Sequence, residues 1–396
     1  MDTAYTNVPQ SDRADNYNLA KNITVPAGST YYYKLTITFN NLADINQEAD
    51  RTAILSTKFN LGDAVTELTP SQKTLAKLKL TAKTGNPDFR NAVVPDEGVY
   101  SMEDDYGISY YYRGAVTNNY VKFGGFFWRI IRINGDGSVR IIYDGTRAYA
   151  NGGSGSDGTD RFTHVDKAWN ANYDDAKYVG WMFGGDDGVA STKKDVEVTD
   201  MTEEAKSKAA TYNQTASDLK ELWVDPWYKT NIEDKGLSKY IGDEIFCNDR
   251  STAPDGSTWW TRENATNKGF GKNPTRYGAG HRTFDSNLNV KNPEPTFKCP
   301  QKNDAFTKDD TTKGNGSLSY PIGLITADEI VAAGSGHQGT ANKYYYLYKN
   351  NSYWYWSFSP NMYNGSYANV FVVGSDGSSS GAHVYGASGA VAPVIN

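Results

Sequence analysis

Histidine and cysteine are the side chains that most often bind metals or act as nucleophiles, and this chain contains four of the first and two of the second. His164, His281, His337 and His383 lie far apart in Gly-rich or polar segments. None has ligand spacing to another histidine or to a cysteine. The sequence therefore favours no metal site, and no cofactor is expected.

Cys247 and Cys299 stand 52 positions apart, each beside a polar, turn-like segment. A disulfide that closes the loop between them is expected if the protein is exported to an oxidising compartment. Two buried free thiols are the alternative. A Cys nucleophile acting with His281 is also conceivable, but cysteines in polar turns fit a bridge better.

Carboxylates are plentiful, but their arrangement does not define an active site. Adjacent acids at 103–105, 186–187 and 309–310 could include a glycosidase pair, yet neighbouring surface acids usually serve solvation. The Gly- and Asp-rich region 144–200 suggests a calcium loop but lacks the spaced carboxylates and closing Glu of one, so solvated surface loops are expected. No phosphate-binding Gly loop or Gly-x-Ser-x-Gly elbow occurs in a suitable setting. We therefore expect a binding protein and not an enzyme.

Aromatic residues are concentrated near the C-terminus, in 344–348 and 353–360. Between the apolar runs 370–373 and 391–395 lies a segment rich in Ser, Gly and Ala that has no charge beyond Asp376. Tyr combined with Ser, Gly and Asn is typical of antibody-type binding surfaces, in which Tyr supplies rigid contact area. An ordinary sheet that ends in a Gly/Ser loop is the alternative interpretation.

We expect one half of these C-terminal side chains to bind a protein or a glycan and the other half to form the core beneath them. Exposed aromatic side chains would stack on sugar faces or fill pockets of a protein partner. The predicted ligand contacts are Tyr353, Trp354, Tyr355, Phe358, Asn361, Tyr363, Tyr367, His383 and Tyr385. The predicted core residues are Trp356, Phe371 and Val394.

Length and composition exclude several classes of protein. A net charge of −6 without any Lys/Arg run is unsuited to binding nucleic acid. No apolar run reaches the roughly 18 residues of a membrane-spanning helix, and no signal peptide is visible, so the targeting segment of an exported protein would have been removed. The 29 Tyr and 38 Gly favour a β-rich, loop-rich architecture. We expect an extracellular or cell-surface protein.

The 396 residues are enough for two domains, and the sequence predicts three parts. Residues 1–66 show the period-two alternation of strands and form a β-rich N-terminal region. Residues 67–95 contain a helix that begins at the capping box Thr69–Gln72 and connects the two domains. Residues 96–396 form a larger domain of the α+β class.

Several local signals locate elements within 96–396. Asn-Gly and Asp-Gly accept the positive φ of hairpin turns, Pro is tolerated in a first helical turn, and a Thr-x-x-Glu pattern opens a helix. The predicted elements are a hairpin of 126–133 and 138–143, a helix over 217–224 and a second from Pro226, a buried strand over 320–325, a helix opened by Thr326–Glu329, and the C-terminal aromatic strands.

Several blocks, taken in one order, resemble a class of secreted proteins from Gram-positive gut bacteria, and the resemblance covers roughly 96–396. The closing pattern, Trp-x-x-Ser-Pro, Ser-Asp-Gly and Pro-Val-Ile-Asn, is similar to the end of a C-type-lectin-like domain of the group that includes formylglycine-generating enzymes and the variable proteins of diversity-generating retroelements. The blocks are Tyr110–Gly114, Asn118–Phe123, Trp128–Gly137, Ile245–Arg250, Tyr320–Glu329 and Trp356–Pro360.

This resemblance implies a compact mixed α/β domain with a ligand-binding face near its C-terminal strands. It implies an adhesin-like protein, and a formylglycine-generating type of enzyme as an alternative, for which Cys247 and Cys299 would have to be reduced and copper-binding. Adenine-directed change of Asn codons would give the Ser, Gly, Ala, His, Val and Tyr that occupy 378–390, so a hypervariable tail is a hypothesis. The chain departs from the family at Ala392, where Arg usually precedes the last Pro.

Residues 20–66 resemble, more weakly, the closing strands of the biofilm-fibre and camelysin-like β-sandwich that often precedes such domains. Only part of a sandwich is present, so a strand from a neighbouring subunit could complete it. This implies an alternative function, in which the chain is a structural subunit of an extracellular filament that assembles through its N-terminal strands.

Overall fold

The computed structural model describes residues 75, 78, 81–83, 85–151, 159–183, 215–253, 269, 272–283, 293–349 and 352–396. The chain divides into two compact units, Met1–Thr74 and Leu75–Asn396. The predicted strands of 1–66 and the capping box at Thr69 lie outside the described residues. Leu75 and Leu78 belong to a helix, as predicted, and group with the C-terminal unit.

Strands dominate the described part of the chain, and the helices are short, so the unit is of the α+β class with most of its regular structure in β. The strands are β1 (Asp96–Asp104), β2 (Gly107–Gly114), β3 (Tyr120–Phe123), β4 (Phe126–Ile133), β5 (Val139–Tyr143), β6 (Met182–Phe183), β7 (Thr215–Ala216), β8 (Phe246–Cys247), β9 (Thr275–Arg276), β10 (Ala305–Phe306), β11 (Trp354–Tyr363), β12 (Ala368–Val373), β13 (Ser379–His383), β14 (Gly389–Ala390) and β15 (Val394–Ile395). The helices are α1 (Asp225–Tyr228), α2 (Gly278–Thr283) and α3 (Ala327–Ile330), with 3₁₀ turns at Thr159–Arg161, Ala176–Val179, Ser238–Tyr240 and Lys302–Asp304, and π-turns at Lys220–Val224, Lys229–Glu233 and Val331–Ser335.

The first sheet has the strand order β1-β2-β4-β5-β15, with β3 paired to β4. Its centre is the predicted hairpin of β4 and β5, which the structure confirms. The turn closes where the Asn134 N–H donates to the Ser138 carbonyl at 2.9 Å, and Gly137 adopts a φ of +96° that glycine accepts without strain. The C-terminal strand β15 adds to β5, so the last residues of the chain complete this sheet.

The second sheet has the order β13-β12-β11-β14, with β9 paired to β11. Strands β11, β12 and β13 are antiparallel neighbours, and β14 joins the other edge of β11 in parallel. The C-terminal aromatic strands are therefore confirmed for 354–363. The earlier run 344–348 forms turns instead, with Tyr345 and Tyr346 buried in the core.

The helices differ from the prediction in two places. The predicted break at Asp225–Pro226 is wrong, because helical structure continues from 218 to 233 with π-turns on both sides of α1. The Asp225 N–H bonds to the Lys220 carbonyl five residues back, so the chain passes Pro226 without a kink large enough to end the helix. The predicted strand 320–325 is buried from Pro321 onward, and among the described residues its one strand bridge joins Gly323 to Val394.

Two predicted local features are present as expected. Thr326 caps α3 by accepting from the Glu329 N–H, and the Glu329 carboxylate accepts from the Thr326 N–H at 3.0 Å. Cys247 and Cys299 form a disulfide with their Cα atoms 5.5 Å apart. The bridge joins β8 to the segment before β10, across a span of 52 residues.

One continuous core lies between the two sheets and the loops that join them. Four tryptophans, Trp128, Trp169, Trp181 and Trp356, are fully buried in it. Ionic groups are also buried, around Asp144 and around Glu329. In the described part of the chain, no helix combines the length and the apolar character that crossing a lipid bilayer requires.

Candidate functional site: an aromatic patch on the C-terminal sheet

The end of the second sheet brings together side chains that are far apart in the sequence. In the antiparallel ladder, His383 of β13 lies opposite Asn369 of β12, Asn369 lies opposite Met362 of β11, and Met362 lies opposite Arg276 of β9. Directly opposed residues project from the same face of a sheet. One row of side chains therefore crosses four strands and ends at the exposed His383.

Four rings cluster at this end of the sheet, and we call Tyr173, Tyr367, His383 and Tyr385 the aromatic patch. Tyr367 stacks on His383 with ring centroids 4.8 Å apart, and Tyr173 lies 4.5 Å from Tyr385 and 5.6 Å from Tyr367. His383 and Tyr385 are also joined by a contact of 3.3 Å between Nδ1 and the phenol oxygen. Tyr385 is 40% exposed and Tyr173 is 37% exposed, so the cluster faces solvent.

Backbone hydrogen bonds fix the patch to the scaffold. The Ala368 N–H donates to the Tyr173 carbonyl at 2.8 Å, which ties the segment before residue 174 to the start of β12. The Val384 N–H donates to the Ala368 carbonyl, and the Trp169 N–H donates to the Val384 carbonyl. These bonds fix the backbone that carries the rings.

Tyr173 is the member of the patch that the sequence analysis missed. It stands within the Gly- and Asp-rich region 144–200, where the pattern predicts surface loops and gives no sign of a binding residue. Its place beside Tyr367 and Tyr385 depends on contacts across about 200 residues of chain, for which the local sequence offers no signal.

Four of the predicted ligand contacts are buried, which corrects that part of the prediction. Tyr355, Phe358, Asn361 and Tyr363 are each exposed by 1% or less. The prediction assumed that one face of the strand would meet solvent, but β11 is central and covered on both faces. Helices α2 and α3 pack on it from one side, and the tryptophan core packs on it from the other.

The other predicted contacts remain at least partly accessible. Tyr367, His383 and Tyr385 belong to the patch, whereas Tyr353 and Trp354 are half-buried and their described ring contacts are with other residues. Tyr353 lies against Phe162, and Trp354 packs edge-on against Trp356 with centroids 4.7 Å apart. The predicted core residues Trp356, Phe371 and Val394 are fully buried.

Burial alternates along the Gly/Ser-rich tail that includes β13. Ser379, Val384, Gly389 and Ala390 are buried, and they lie against the sheet or the segment 163–170. A Cβ at Gly389 would collide with the Trp356 indole nitrogen, so glycine is required there. The exposed positions are Gly381, His383, Tyr385, Ala387 and Ser388.

The patch itself is uncharged when His383 is neutral. Asp174, next to Tyr173, lies 3.9 Å from Lys272, and both side chains are mostly exposed. Tyr363, beneath this end of the sheet, donates its hydroxyl to the Asp174 carbonyl at 2.8 Å, and burial raises the pKa of this phenol to about 12. The surface thus offers apolar ring faces, hydroxyls and one imidazole to a ligand.

Apart from the aromatic patch, a concave region lies beside the disulfide and is lined by charged groups. Arg132 bonds to Asp104 at 2.6 Å and to Glu329 at 3.0 Å, and Arg140 lies 2.6 Å from the same Glu329 oxygen. Burial by itself raises the pKa of Glu329, but the two guanidinium groups outweigh it and hold that pKa below its usual range. These charges compensate one another, as in a structural ion network.

The same region contains Arg282, which pairs with Asp249 at 2.6 Å and with Asp328 at 2.9 Å. Burial raises the pKa of the neighbouring Asp105 carboxyl, which accepts the Cys299 N–H at 3.0 Å. Over the described residues, no group of three or more His, Cys, Asp or Glu side chains is placed to hold a metal ion. Arg282 and its two carboxylate partners extend the ion network of this region.

No protein-family model, curated protein or solved structure matches this chain.

Proposed function

We propose that this protein is an extracellular, ligand-binding, adhesin-like protein that recognises a protein or a glycan through its aromatic patch. The observation that carries the proposal is the solvent-facing cluster of Tyr173, Tyr367, His383 and Tyr385 at the end of an otherwise buried sheet. Tyrosines supply large contact area with few rotatable bonds, and they are enriched among residues that dominate binding energy.

Export from the cytoplasm is part of the same proposal. The disulfide between Cys247 and Cys299 supports it, because such bridges persist mainly in oxidising compartments. The bridge is half-buried beside charged side chains. It joins two segments that have little regular structure of their own.

We further propose that residues 96–396 form a C-type-lectin-like domain. The support is the sequence resemblance described above, together with a last strand that returns to pair within the first sheet and an antiparallel second sheet whose end carries the patch. Ala392 is buried, so the site where the family usually has Arg is filled here by a small apolar side chain.

Hypervariability of the tail also remains a proposal. Its support is that His383, Tyr385, Ala387 and Ser388 are exposed and could change without disturbing the core. Amplicon sequencing of the 3′ end of the gene across one population tests it. Changes confined to those positions are expected, and a uniform tail would reject the idea.

A binding screen tests the main proposal. The full chain would be applied to glycan and protein arrays, with and without calcium, beside the variants Tyr385→Ala and Tyr344→Ala. Tyr344 is a matched control because it is 57% exposed and has no ring contact with the patch among the described residues. Loss of one anchoring Tyr should weaken binding by about 2 kcal/mol or more, and the control should not change it. Binding that survives Tyr385→Ala in full would contradict the proposal.

The two alternatives have less support. The filament hypothesis depends on strands in 1–66, outside the described residues, and negative-stain microscopy of the full chain would test it. The formylglycine-generating type of chemistry requires Cys247 and Cys299 to be reduced and copper-binding, and their disulfide argues against it.

A further inference from the structure

Two buried side-chain amides near the aromatic patch carry polar atoms that have no hydrogen-bond partner in the described part of the chain. Asn369, opposite His383 in the ladder, is 2% exposed, and among the described residues neither its Oδ1 nor its Nδ2 atom is bonded. The Oδ1 atom of Asn361, 1% exposed, is likewise unpartnered within the described part of the chain. Buried amides of this kind are normally satisfied, so a pair of them beside a surface cluster needs an explanation.

The residue of β13 that lies over Asn361 is a glycine. Gly381 is exposed and lies opposite Phe371, next to the His383–Asn369 pair, and the Asn361 amide nitrogen occupies the space that a Cβ at Gly381 would need. No side chain from β13 therefore stands over Asn361. Asn361 also falls in an irregular stretch of β11, between Pro360 and Met362, where the register with β12 shifts. Such irregularities often redirect a side chain at a functional site.

We propose that the aromatic patch and the two amides together bind a neutral saccharide that carries vicinal hydroxyls. This inference rests on the proposed binding function and names the ligand class of the same surface. The apolar face of the sugar ring packs against Tyr173, Tyr367 and Tyr385, and adjacent hydroxyls bond to the amide of Asn369.

The chemistry of the amide suits this ligand. A side-chain carboxamide presents an N–H donor and a carbonyl acceptor side by side. Two neighbouring hydroxyls can meet both, since each hydroxyl donates and accepts. A single trans peptide group cannot do so, because its N–H and C=O point in opposite directions, and a peptide would have to offer groups from two peptide units. The absence of formal charge on the four patch residues, with His383 neutral, matches a neutral sugar better than an acidic one.

Access to Asn369 requires a movement of His383. This residue is exposed, and its side chain is held by the stacking on Tyr367 and the 3.3 Å contact with the Tyr385 hydroxyl. Rotation of the imidazole away from the ladder opens the space next to Asn369, and the freed ring nitrogen can then bond to a sugar hydroxyl.

The test uses the full 396-residue chain and saturation-transfer NMR with titration of methyl β-galactoside, methyl β-glucoside, methyl α-mannoside and methyl β-N-acetylglucosaminide. The variants are Asn369→Leu, Asn361→Leu, Tyr385→Ala and the control Tyr344→Ala. At least one glycoside should bind. Asn369→Leu should weaken its binding about tenfold and Tyr385→Ala about thirtyfold or more, whereas Tyr344→Ala should leave it within about twofold. A deoxy analogue of the bound glycoside lacks one of the two neighbouring hydroxyls. It should bind the natural protein more weakly than the glycoside does, but Asn369→Leu should bind both equally.

Thermal unfolding separates a binding role from a structural one. Replacing an unpartnered buried amide by an apolar group of similar size should leave the melting temperature unchanged or raise it. If Asn369→Leu fails to fold, glycoside binding by Asn361→Leu still tests the role of the amides.

The possible results distinguish the role of the amides, the saccharide inference and the proposed binding function. Glycoside binding that is lost in Tyr385→Ala but kept in both amide variants would overturn the role of the amides. Binding of a protein ligand that needs Tyr385, with no glycoside bound, would overturn the saccharide inference and leave the proposed function standing. No ligand that depends on Tyr385 in either assay would overturn both.

Discussion

At the scale of single residues, Asp144 is the shared carboxylate of a buried ionic cluster. Its carboxylate is fully buried and meets three cations, with Lys349 at 2.7 Å, Arg161 at 2.8 Å and Arg129 at 3.3 Å. Burial raises the pKa of Asp144, but the three cations outweigh that effect and keep the pKa below its ordinary value. The carboxylate is therefore the common counter-ion of a buried cluster that would otherwise repel itself.

Replacing Asp144 by Asn should be strongly destabilising. Removing one partner of a buried ion pair typically costs about 3–5 kcal/mol, because the remaining charges stay buried without compensation. Urea unfolding would measure the change. Glu103→Gln is the control, since its pair with Lys298 is largely exposed and should contribute nothing measurable. A midpoint equal to that of the unmodified protein would show that the cluster is not needed.

Lys349 predicts a pH dependence of stability. Burial, ahead of the opposing attraction of Asp144, lowers the pKa of Lys349 from its ordinary value of 10.5 to about 8. Between these two values the unfolded chain binds a proton that the folded chain has lost, so this group makes the protein more stable as the pH rises from about 8 to 10.5.

Unfolding of the natural protein and of Lys349→Met, measured across that range, would isolate this effect from the titration of tyrosines. As the pH rises, the unfolding free energy of the natural protein should increase relative to that of Lys349→Met. A difference that stays constant would mean that Lys349 keeps the same pKa in the folded and unfolded states.

At the scale of elements, the central strands and the edge strand of the second sheet differ in burial. Its central strands β11 and β12 are buried on both faces, whereas the edge strand β13 carries alternate exposed positions. The proposed binding surface therefore lies on the edge strand and the turns at its end, and the strands behind it belong to the core. At the opposite edge of the sheet, Trp356 leaves no room for a side chain at Gly389 of β14.

The disulfide acts at the same scale, since it closes a loop of 52 residues whose described part contains β9 and α2. Loop-closure entropy predicts that the double variant Cys247→Ser, Cys299→Ser loses about 4 kcal/mol of stability. Urea unfolding of this variant, and of the natural protein under reducing conditions, would measure the loss. Equal midpoints with and without the bridge would show that packing alone holds the loop.

At the scale of the whole molecule, charge decides which partners are accessible. The net charge of −6 and the sequence pI of about 5.4 make the protein an anion at neutral pH. Polyanions should be repelled, because few counter-ions are released when a surface without a basic stripe approaches phosphates.

Gel-shift assays with duplex DNA and single-stranded RNA at low salt should accordingly show no complex. Retention of the protein on an anion exchanger at pH 7 is the positive control. A salt-sensitive complex with either nucleic acid would reveal a basic surface that composition does not predict.

Several features could be predicted from the sequence because their causes are local. The β4–β5 hairpin follows from turn residues between two apolar runs, and the cap of α3 follows from Thr326 and Glu329. The cysteine pair was expected to bridge from its count and its setting. Buried Trp356, Phe371 and Val394 follow from the apolar character of their strands.

The tertiary structure decided which aromatic side chains are accessible. Alternation along β11 could not reveal that both of its faces would be covered, since the covering helices α2 and α3 come from distant parts of the chain. Nor could it bring Tyr173 to Tyr385, because that meeting depends on backbone hydrogen bonds between the segment 169–173 and the strand ends. Local sequence sets turns, caps and hydrophobic patterns. The choice of exposed face is made by long-range packing, which brings together residues that no short-range pattern connects.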